Sequence, residues 1–201
     1  METERDKEVI KSIGKHKMLS MEQIIELHFP SYHTCWRRMN KCLKPEGYIN
    51  KDPFYIKVKP RGGKIALYRL EKYGKRKYKQ LTGEKYKRPR WKFVHLEHLL
   101  ELNWVLITLG MDFELEKDFG GIRADAYVGE IIELDMGTEG KREIQKKYRR
   151  YKRTGEGLIW ISNRVKRLRK WCSEIGGRYI KKNKFVRKKK SSILRVKSTL
   201  K

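Results

Sequence analysis

Cysteine, acidic side chains and long apolar segments are all scarce in this sequence of 201 residues. Its three cysteines, Cys35, Cys42 and Cys172, are odd in number and include no CxxC pair, which argues against a disulfide framework. The longest apolar stretch, Leu99 to Leu109, is far shorter than the ~20 residues of a membrane span. The first residues, METERDKEV, have no signal-peptide character. We therefore expect a cytoplasmic protein whose cysteines are buried thiols.

Acidic residues are heavily outnumbered, with 24 Asp and Glu against 51 Lys and Arg and a net charge of +27. Aromatic residues make up 11% of the chain, more than a disordered chain usually carries, so the protein is expected to fold. From Lys141 onward there are 24 basic and three acidic residues, whereas the first 140 residues contain 27 and 21. This charge favours a polyanionic partner, with nucleic acid ahead of an anionic membrane surface.

Residues 1–82 predict three helices followed by a β-hairpin. Ser20 and Gln23 form a capping box at the start of the second helix, which Pro30 ends. Two β-like runs flank a turn at 60–63. This is the order of a winged helix-turn-helix DNA-binding domain, in which the third helix enters the major groove and the hairpin contacts the backbone or minor groove. A protein-interaction module with the same order is the alternative.

The third helix and the hairpin turn supply the candidate DNA-binding residues of this first domain. They are Tyr32, His33, Arg37, Arg38 and Lys41 on the helix and Arg61 in the turn. The two arginines of the helix are expected to reach base edges or phosphates. The segment from Lys72 to Lys92 is basic and contains Gly and Pro, which predicts a linker.

Residues 83–180 predict a second domain, with a mixed central sheet flanked by helices. The predicted order is helix, three strands, helix, strand, helix, so the chain as a whole belongs to the α+β or α/β class. The order resembles the PD-(D/E)XK nuclease-like core, in which an acid of the second strand and an acid of the third meet at one metal. Asp125 and Glu133 stand at those positions. The resemblance implies that they hold Mg²⁺ or Mn²⁺, which polarises a scissile phosphate and activates water.

One position departs from that pattern, because Asp135 stands where the catalytic lysine is expected. Lys146 or Lys147 of the following helix is one replacement for the missing lysine. Alternatively, Asp135 is a third metal ligand, since residues two apart on a strand face the same side. A catalytically inactive scaffold is the remaining alternative.

The basic C-terminal tail, residues 181–201, is expected to help hold the DNA backbone. Its candidate residues are Lys188, Lys189 and Lys190, and they are joined by Arg149 and Arg150 of the helix after Glu133.

The sequence resembles the replication-relaxation family of plasmids and mobile elements. The resemblance depends on TCWRRMNKCLKPEGYI, HLEHLLELN and RADA and, most specifically, on ELDMGTEGKREIQKKYRRY. It implies a DNA-binding accessory protein in replication and DNA relaxation, in which the winged helix reads a site and the C-terminal domain holds the backbone. A metal-dependent DNA endonuclease or nickase and a transcriptional repressor are the alternatives.

The expected partner is double-stranded DNA, and no membrane partner is expected. The sequence leaves open whether other replication or relaxosome proteins bind and whether the chain forms a homodimer.

Overall fold

The computed structural model describes residues 2–56, 63–89, 93–172 and 178–182. Within these ranges the chain contains seven α-helices and two β-sheets, so the expected mixed α+β class is confirmed. The chain divides into two compact units, Met1–Asn103 and Trp104–Lys201. The functional domains drawn from the sequence at 1–82, 83–180 and 181–201 stay predictions.

The first unit begins with three short helices whose starts are fixed by side-chain caps. They are α1 (Glu4–Lys15), α2 (Met21–His28) and α3 (Tyr32–Arg38), and α3 continues into a π-helical turn, Met39–Leu43. Thr3 and Asp6 form a capping box on α1, and Ser20 and Gln23 form the predicted one on α2. These caps satisfy backbone N–H groups that a helix start leaves without partners. Apolar side chains of α1, such as Ile10, are buried in the core of this unit.

Three antiparallel strands complete the first unit: β1 (Leu19–Ser20), β2 (Ile49–Ile56) and β3 (Gly63–Leu70). The strand order is β1-β3-β2, with Ile49 opposite Leu70 and Ile56 opposite Gly63. The predicted hairpin is therefore present in its two strands. Its turn, including Arg61, lies outside the described residues.

The linker predicted from Lys72 to Lys92 is wrong over its first half, which forms helix α4 (Lys72–Thr82). The many basic residues suggested a linker, but most of them occupy the exposed face of this helix, whereas Tyr78 is buried. Tyr78 packs so closely on α1 that a Cβ at Gly14 would lie 2.1 Å from its ring. Gly83, with a φ of +78°, ends α4 in the left-handed conformation that favours glycine.

Helix α5 (Phe93–Leu109) is attached to the first unit through a buried amide. The Nδ2 group of Asn103 donates to the carbonyl oxygens of Met18 at 2.8 Å and His16 at 3.3 Å. The Oδ1 atom of Asn103 lies 3.0 Å from Nδ1 of His16. None of the helices within the described ranges is long and apolar enough to cross a membrane.

The second unit contains a five-stranded sheet in the order β4-β5-β6-β7-β8. Its strands are β4 (Glu114–Leu115), β5 (Ala126–Tyr127), β6 (Ile131–Asp135), β7 (Leu158–Ser162) and β8 (Arg178–Lys181). The first three are antiparallel neighbours, and β6, β7 and β8 are parallel. Strand β5 contains only two residues, and β8 is absent from the predicted order of elements.

Two basic helices connect the parallel strands, α6 (Lys141–Lys152) after β6 and α7 (Val165–Trp171) after β7. Every residue of β6 and β7 is buried, as is typical of central parallel strands. Ile144, Tyr148 and Tyr151 of α6 pack into a core with Trp160 of β7. Apart from Gln145 and Lys147, which are half-buried, the remaining and mostly cationic residues of α6 are exposed to solvent.

Candidate functional site

Asp125 and Glu133 lie side by side in the second unit because β5 and β6 are antiparallel. Ala126 pairs with Ile132, so the residue before β5 comes opposite Glu133. The backbone N–H of Asp125 donates to Oε1 of Glu133 at 3.3 Å, and Oδ2 of Asp125 accepts from the N–H of Leu134 at 2.8 Å. The structure therefore brings together two of the acids singled out in the sequence.

Helix α6 adds a lysine and a tyrosine to this pair. Nζ of Lys147 lies 3.1 Å from Oε2 of Glu133 and 2.6 Å from Oε1 of Glu139. The hydroxyl of Tyr151 donates to Oε1 of Glu133 at 2.6 Å. Of the two lysines that the sequence left open, Lys147 is the one beside the acids.

Tyr151 and Glu139 were not recognised as site residues from the sequence. Tyr151 comes four residues after Lys147, so the two share the inner edge of α6, and that spacing was an available signal. Glu139 lies before the helix starts, and no periodicity applies there.

The electrostatics of the cluster follow from its burial. Glu133 is 1% exposed, and burial together with the neighbouring charge of Asp125 raises its pKa to about 7, against the lowering effect of Lys147 and Tyr151. Burial alone would lower the pKa of Lys147. The carboxylates of Glu133, Glu139 and Asp125 have the larger combined effect and raise the pKa of the ammonium. Burial and the Glu133 carboxylate raise the pKa of the Tyr151 hydroxyl. Lys147 therefore stays charged, and Tyr151 stays a proton donor.

Asp135 has a different set of partners. Its carboxylate accepts from Nη2 of Arg167 at 3.0 and 3.2 Å, from the Ser162 hydroxyl at 2.8 Å and from the Gly137 N–H at 2.7 Å. Asp135 is buried, and Arg167 of α7 neutralises it.

The three-carboxylate metal site suggested by Asp125, Glu133 and Asp135 is not assembled. Across the described ranges there is no group of three or more His, Cys, Asp or Glu residues that could hold a metal ion. A protein cation accompanies Glu133 and another accompanies Asp135, so these donors do not fit a magnesium or manganese ion as they stand.

The outer face of α6 forms an open, strongly cationic groove. It is lined by Arg142, Gln145, Lys146, Arg149, Arg150 and Arg153, and we call it the α6 groove. The five cationic residues among these are exposed, and no acidic side chain is among the described residues that line it. Lys146 therefore lies in this groove, away from Glu133. Gln145 is held by a hydrogen bond of 2.9 Å from its Nε2 to the carbonyl oxygen of Trp171.

The candidate DNA-binding residues of α3 and of the π-helical turn that follows it divide into two groups. Tyr32, His33, Arg37 and Lys41 are exposed, and Tyr32 retains 62% of its accessible surface. Arg38 turns inward instead, where Nε donates to Oδ1 of the buried Asp6 at 2.7 Å and Nη2 pairs with Oδ2.

Burial works against the ionised form of Asp6, but the Arg38 and Thr3 hydrogen bonds prevail and lower the pKa of Asp6. Arg38 therefore has a structural partner that the sequence analysis missed. Arg61, Lys188, Lys189 and Lys190 lie outside the described residues.

Comparison with known proteins gives one family. The model of the replication-relaxation family matches residues 10–164, which include α3, the Asp125–Glu133–Lys147 cluster and the α6 groove. Neither the curated proteins nor the solved structures contain a match. Because the match covers more than half of the chain, as the resemblance predicted, the protein belongs to the replication-relaxation family.

Proposed function

We propose that the protein is a DNA-binding accessory protein in the replication and relaxation of a plasmid or mobile element. The α6 groove is the observation that carries this proposal. Four exposed cations line one face of a helix of 12 residues, which is roughly 18 Å long at ~1.5 Å per residue, and Arg153 at its C-cap adds a fifth. A dense row of cations without acids repels itself unless a polyanion neutralises it, and releasing counterions from phosphates drives such binding.

The two units have different roles in this proposal. The order of α1, α2, α3 and the β2–β3 hairpin is that of a winged helix, and α3 carries exposed Tyr32, His33 and Arg37. This arrangement supports reading of double-stranded DNA by α3 while the α6 groove holds the backbone. Arg61 and the lysines at 188–190 are proposed backbone contacts in the hairpin turn and the tail.

A binding measurement with a matched control tests this function. Arg149→Gln with Arg150→Gln removes two charges from the α6 groove, and Lys141→Gln with Lys152→Gln removes two from the same helix outside it. Fluorescence anisotropy with a labelled duplex should show at least about ten-fold weaker binding for the first pair. The control pair should lose about three-fold or less. Equal losses would mean that the groove makes no specific contact with DNA.

A second candidate function is a metal-dependent DNA endonuclease or nickase of the PD-(D/E)XK type. The observation that favours it is the approach of Lys147 to Glu133 beside Asp125, an acid–acid–lysine set with the lysine on the following helix. The pairing of Asp135 with Arg167 weighs against it, because it removes the third carboxylate. Incubation with supercoiled plasmid and Mg²⁺ or Mn²⁺ decides between the two. Cleavage that Glu133→Gln and Lys147→Met each abolish, in variants that are still folded and still bind the plasmid, would support the enzyme.

The remaining alternative, a transcriptional repressor, differs in its effect in the cell. Deleting a replication accessory protein lowers the copy number of the element that encodes it. Deleting a repressor instead raises transcription from its target promoter. Measurement of copy number and transcript level in the same deletion strain therefore separates them.

A further inference from the structure

Two buried acids on the central strand β6 face the same basic helices that form the cationic surface of the second unit. Glu133 and Asp135 are two residues apart, so they lie on the same face of the sheet. They are 1% and 4% exposed. Acids this deeply buried are rare unless they are paired, and each is paired with a cation from a different helix.

Each pair joins a helix to β6 through its inward-facing cation. Lys147 of α6 reaches Glu133, and Tyr151, one turn later, donates to the same carboxylate. Arg167 of α7 reaches Asp135. The other cations of these helices are exposed, namely Lys141, Arg142, Lys146, Arg149, Arg150 and Lys152 on α6 and Lys166, Arg169 and Lys170 on α7.

Because each ion pair is buried, it stabilises one orientation of its helix about the helix axis relative to others. A buried carboxylate without a cation costs several kcal/mol, so other rotations of α6 that remove Lys147 from Glu133 are disfavoured. The apolar contacts of α6 involve only a few residues, such as Ile144 and Tyr148, on a helix that is otherwise cationic. The carboxylate therefore adds a directional constraint that apolar packing lacks. The same reasoning applies to Asp135 and α7.

We propose that Glu133 and Asp135 are positioning residues for DNA binding, each of which holds one basic helix with its cationic face toward solvent. This inference rests on the proposed function and deepens it. It assigns a different task to Glu133, which stands where a nuclease would bind metal, and to Asp135, which stands where the catalytic lysine is expected. That task is to hold the two basic helices of the second unit.

The test is whether DNA affinity rises or falls when each acid is removed. Removing an acid from a protein of net charge +27 strengthens its attraction to DNA, and we expect the exposed Glu143→Gln on α6 to bind a labelled duplex up to about two-fold more tightly. At pH 8, where Glu133 is ionised, Glu133→Gln and Asp135→Asn remove the same charge with little change in size, and each replaces one acceptor oxygen with an NH2 group. If they position the helices, each should bind about five-fold more weakly instead. Glu133→Asp, which keeps the charge, should recover at least half of the loss.

Hydrogen exchange on the same full-length proteins adds a readout for each helix. Glu133→Gln should accelerate exchange in residues 141–152 more than in 165–171, and Asp135→Asn should do the reverse. A general loss of structure would instead accelerate exchange in both helices and in β7 in either variant, which would overturn the proposal.

The outcomes also separate this inference from the proposed function. If the wild type binds DNA through the α6 groove but Glu133→Gln and Asp135→Asn bind as tightly as Glu143→Gln, the positioning role is wrong and the function stands. If the wild type does not bind DNA, the proposed function fails and the positioning role fails with it.

Discussion

Nζ of Lys147 lies 3.1 Å from Oε2 of the buried Glu133, whereas the adjacent lysine on α6 has a solvent-exposed side chain. Lys146, one residue earlier, lines the exposed α6 groove. A rotation of about 100° per residue accounts for the separation. The same helix thus contributes one cation to an internal ion pair and a row of cations to the surface.

This difference predicts opposite phenotypes for the two lysines. Lys147→Met leaves the buried Glu133 without its cation and should lower the free energy of unfolding by about 2–3 kcal/mol at pH 8, where that carboxylate is ionised. Lys146→Met should change stability by less than about 0.5 kcal/mol but weaken DNA binding a few-fold. Urea denaturation and anisotropy measure the two effects. Equal stabilities of the variants would contradict the ion-pair assignment.

The neighbouring arginines of α3 should behave in the same divided way. Arg38→Ala removes the partner of the buried Asp6, so we expect a loss of about 2–3 kcal/mol in the free energy of unfolding. Arg37→Ala removes an exposed side chain and should leave stability within about 0.5 kcal/mol. It should instead reduce discrimination between duplex sequences by about 1–3 kcal/mol for each lost base contact. A stable Arg38→Ala protein with altered sequence preference would reverse the two roles.

His16 predicts a pH dependence of folding. Burial lowers the pKa of His16 from 6.5 to about 4, although its hydrogen bond with Asn103 opposes the shift. The unfolded chain therefore takes up a proton at a higher pH than the folded one. The stability that His16 contributes is complete above pH 6.5 and is lost as the pH falls toward 4, by up to about 3 kcal/mol.

The contribution of His16 is measured as a difference between two proteins. Urea denaturation of the wild type and His16→Gln at several pH values removes the effects of other groups, including His28, whose pKa burial also lowers. The wild type should lose more stability than the variant below pH 6.5. Parallel curves would show that His16 protonates in the folded state without cost.

The packing of α4 against the rest of the first unit depends on a glycine. A Cβ at Gly74 would lie 1.9 Å from the carbonyl oxygen of Tyr48, which also accepts a hydrogen bond from the N–H of Glu71. Gly74→Ala should therefore destabilise the protein by about 2 kcal/mol or more in thermal or urea unfolding. Gly83→Asn is the control, because its left-handed φ suits Asn and a Cβ there meets open space. Its cost should stay below about 1 kcal/mol.

Local features of the fold could be predicted from the sequence where one or two neighbouring residues determine them. The Ser20–Gln23 capping box and the end of α2 before Pro30 are of this kind. The run LIWI indicated a buried strand because central parallel strands are apolar along their whole length. Helix α4 was missed because its inward residues, Gly74 and Tyr78, are few among many lysines.

The partners of the charged residues were much harder to predict, since they come from distant parts of the chain. Asp6 pairs with Arg38, and Asp135 pairs with Arg167, and in each case the partners are 32 positions apart in the sequence. Helical periodicity bears on these charged partners only within α6. Ile144, Tyr148 and Tyr151 mark the inner face of that helix, and by their spacing Lys147 lies nearer to this face than Lys146. The approach of Asp125 to Glu133 was expected from the resemblance to the PD-(D/E)XK nuclease-like core, in which these two positions meet.

The salt dependence of DNA affinity tests the central claim most directly. The dissociation constant for a labelled duplex is measured between 50 and 200 mM salt for the wild type and for Arg149→Gln with Arg150→Gln. Binding through six or more phosphates predicts a log–log slope of about −5 and a loss of about 10³ in affinity over this range for the wild type. The variant should have a shallower slope, by roughly two units. A flat response of the wild type, or equal slopes for both proteins, would contradict DNA backbone binding by the α6 groove.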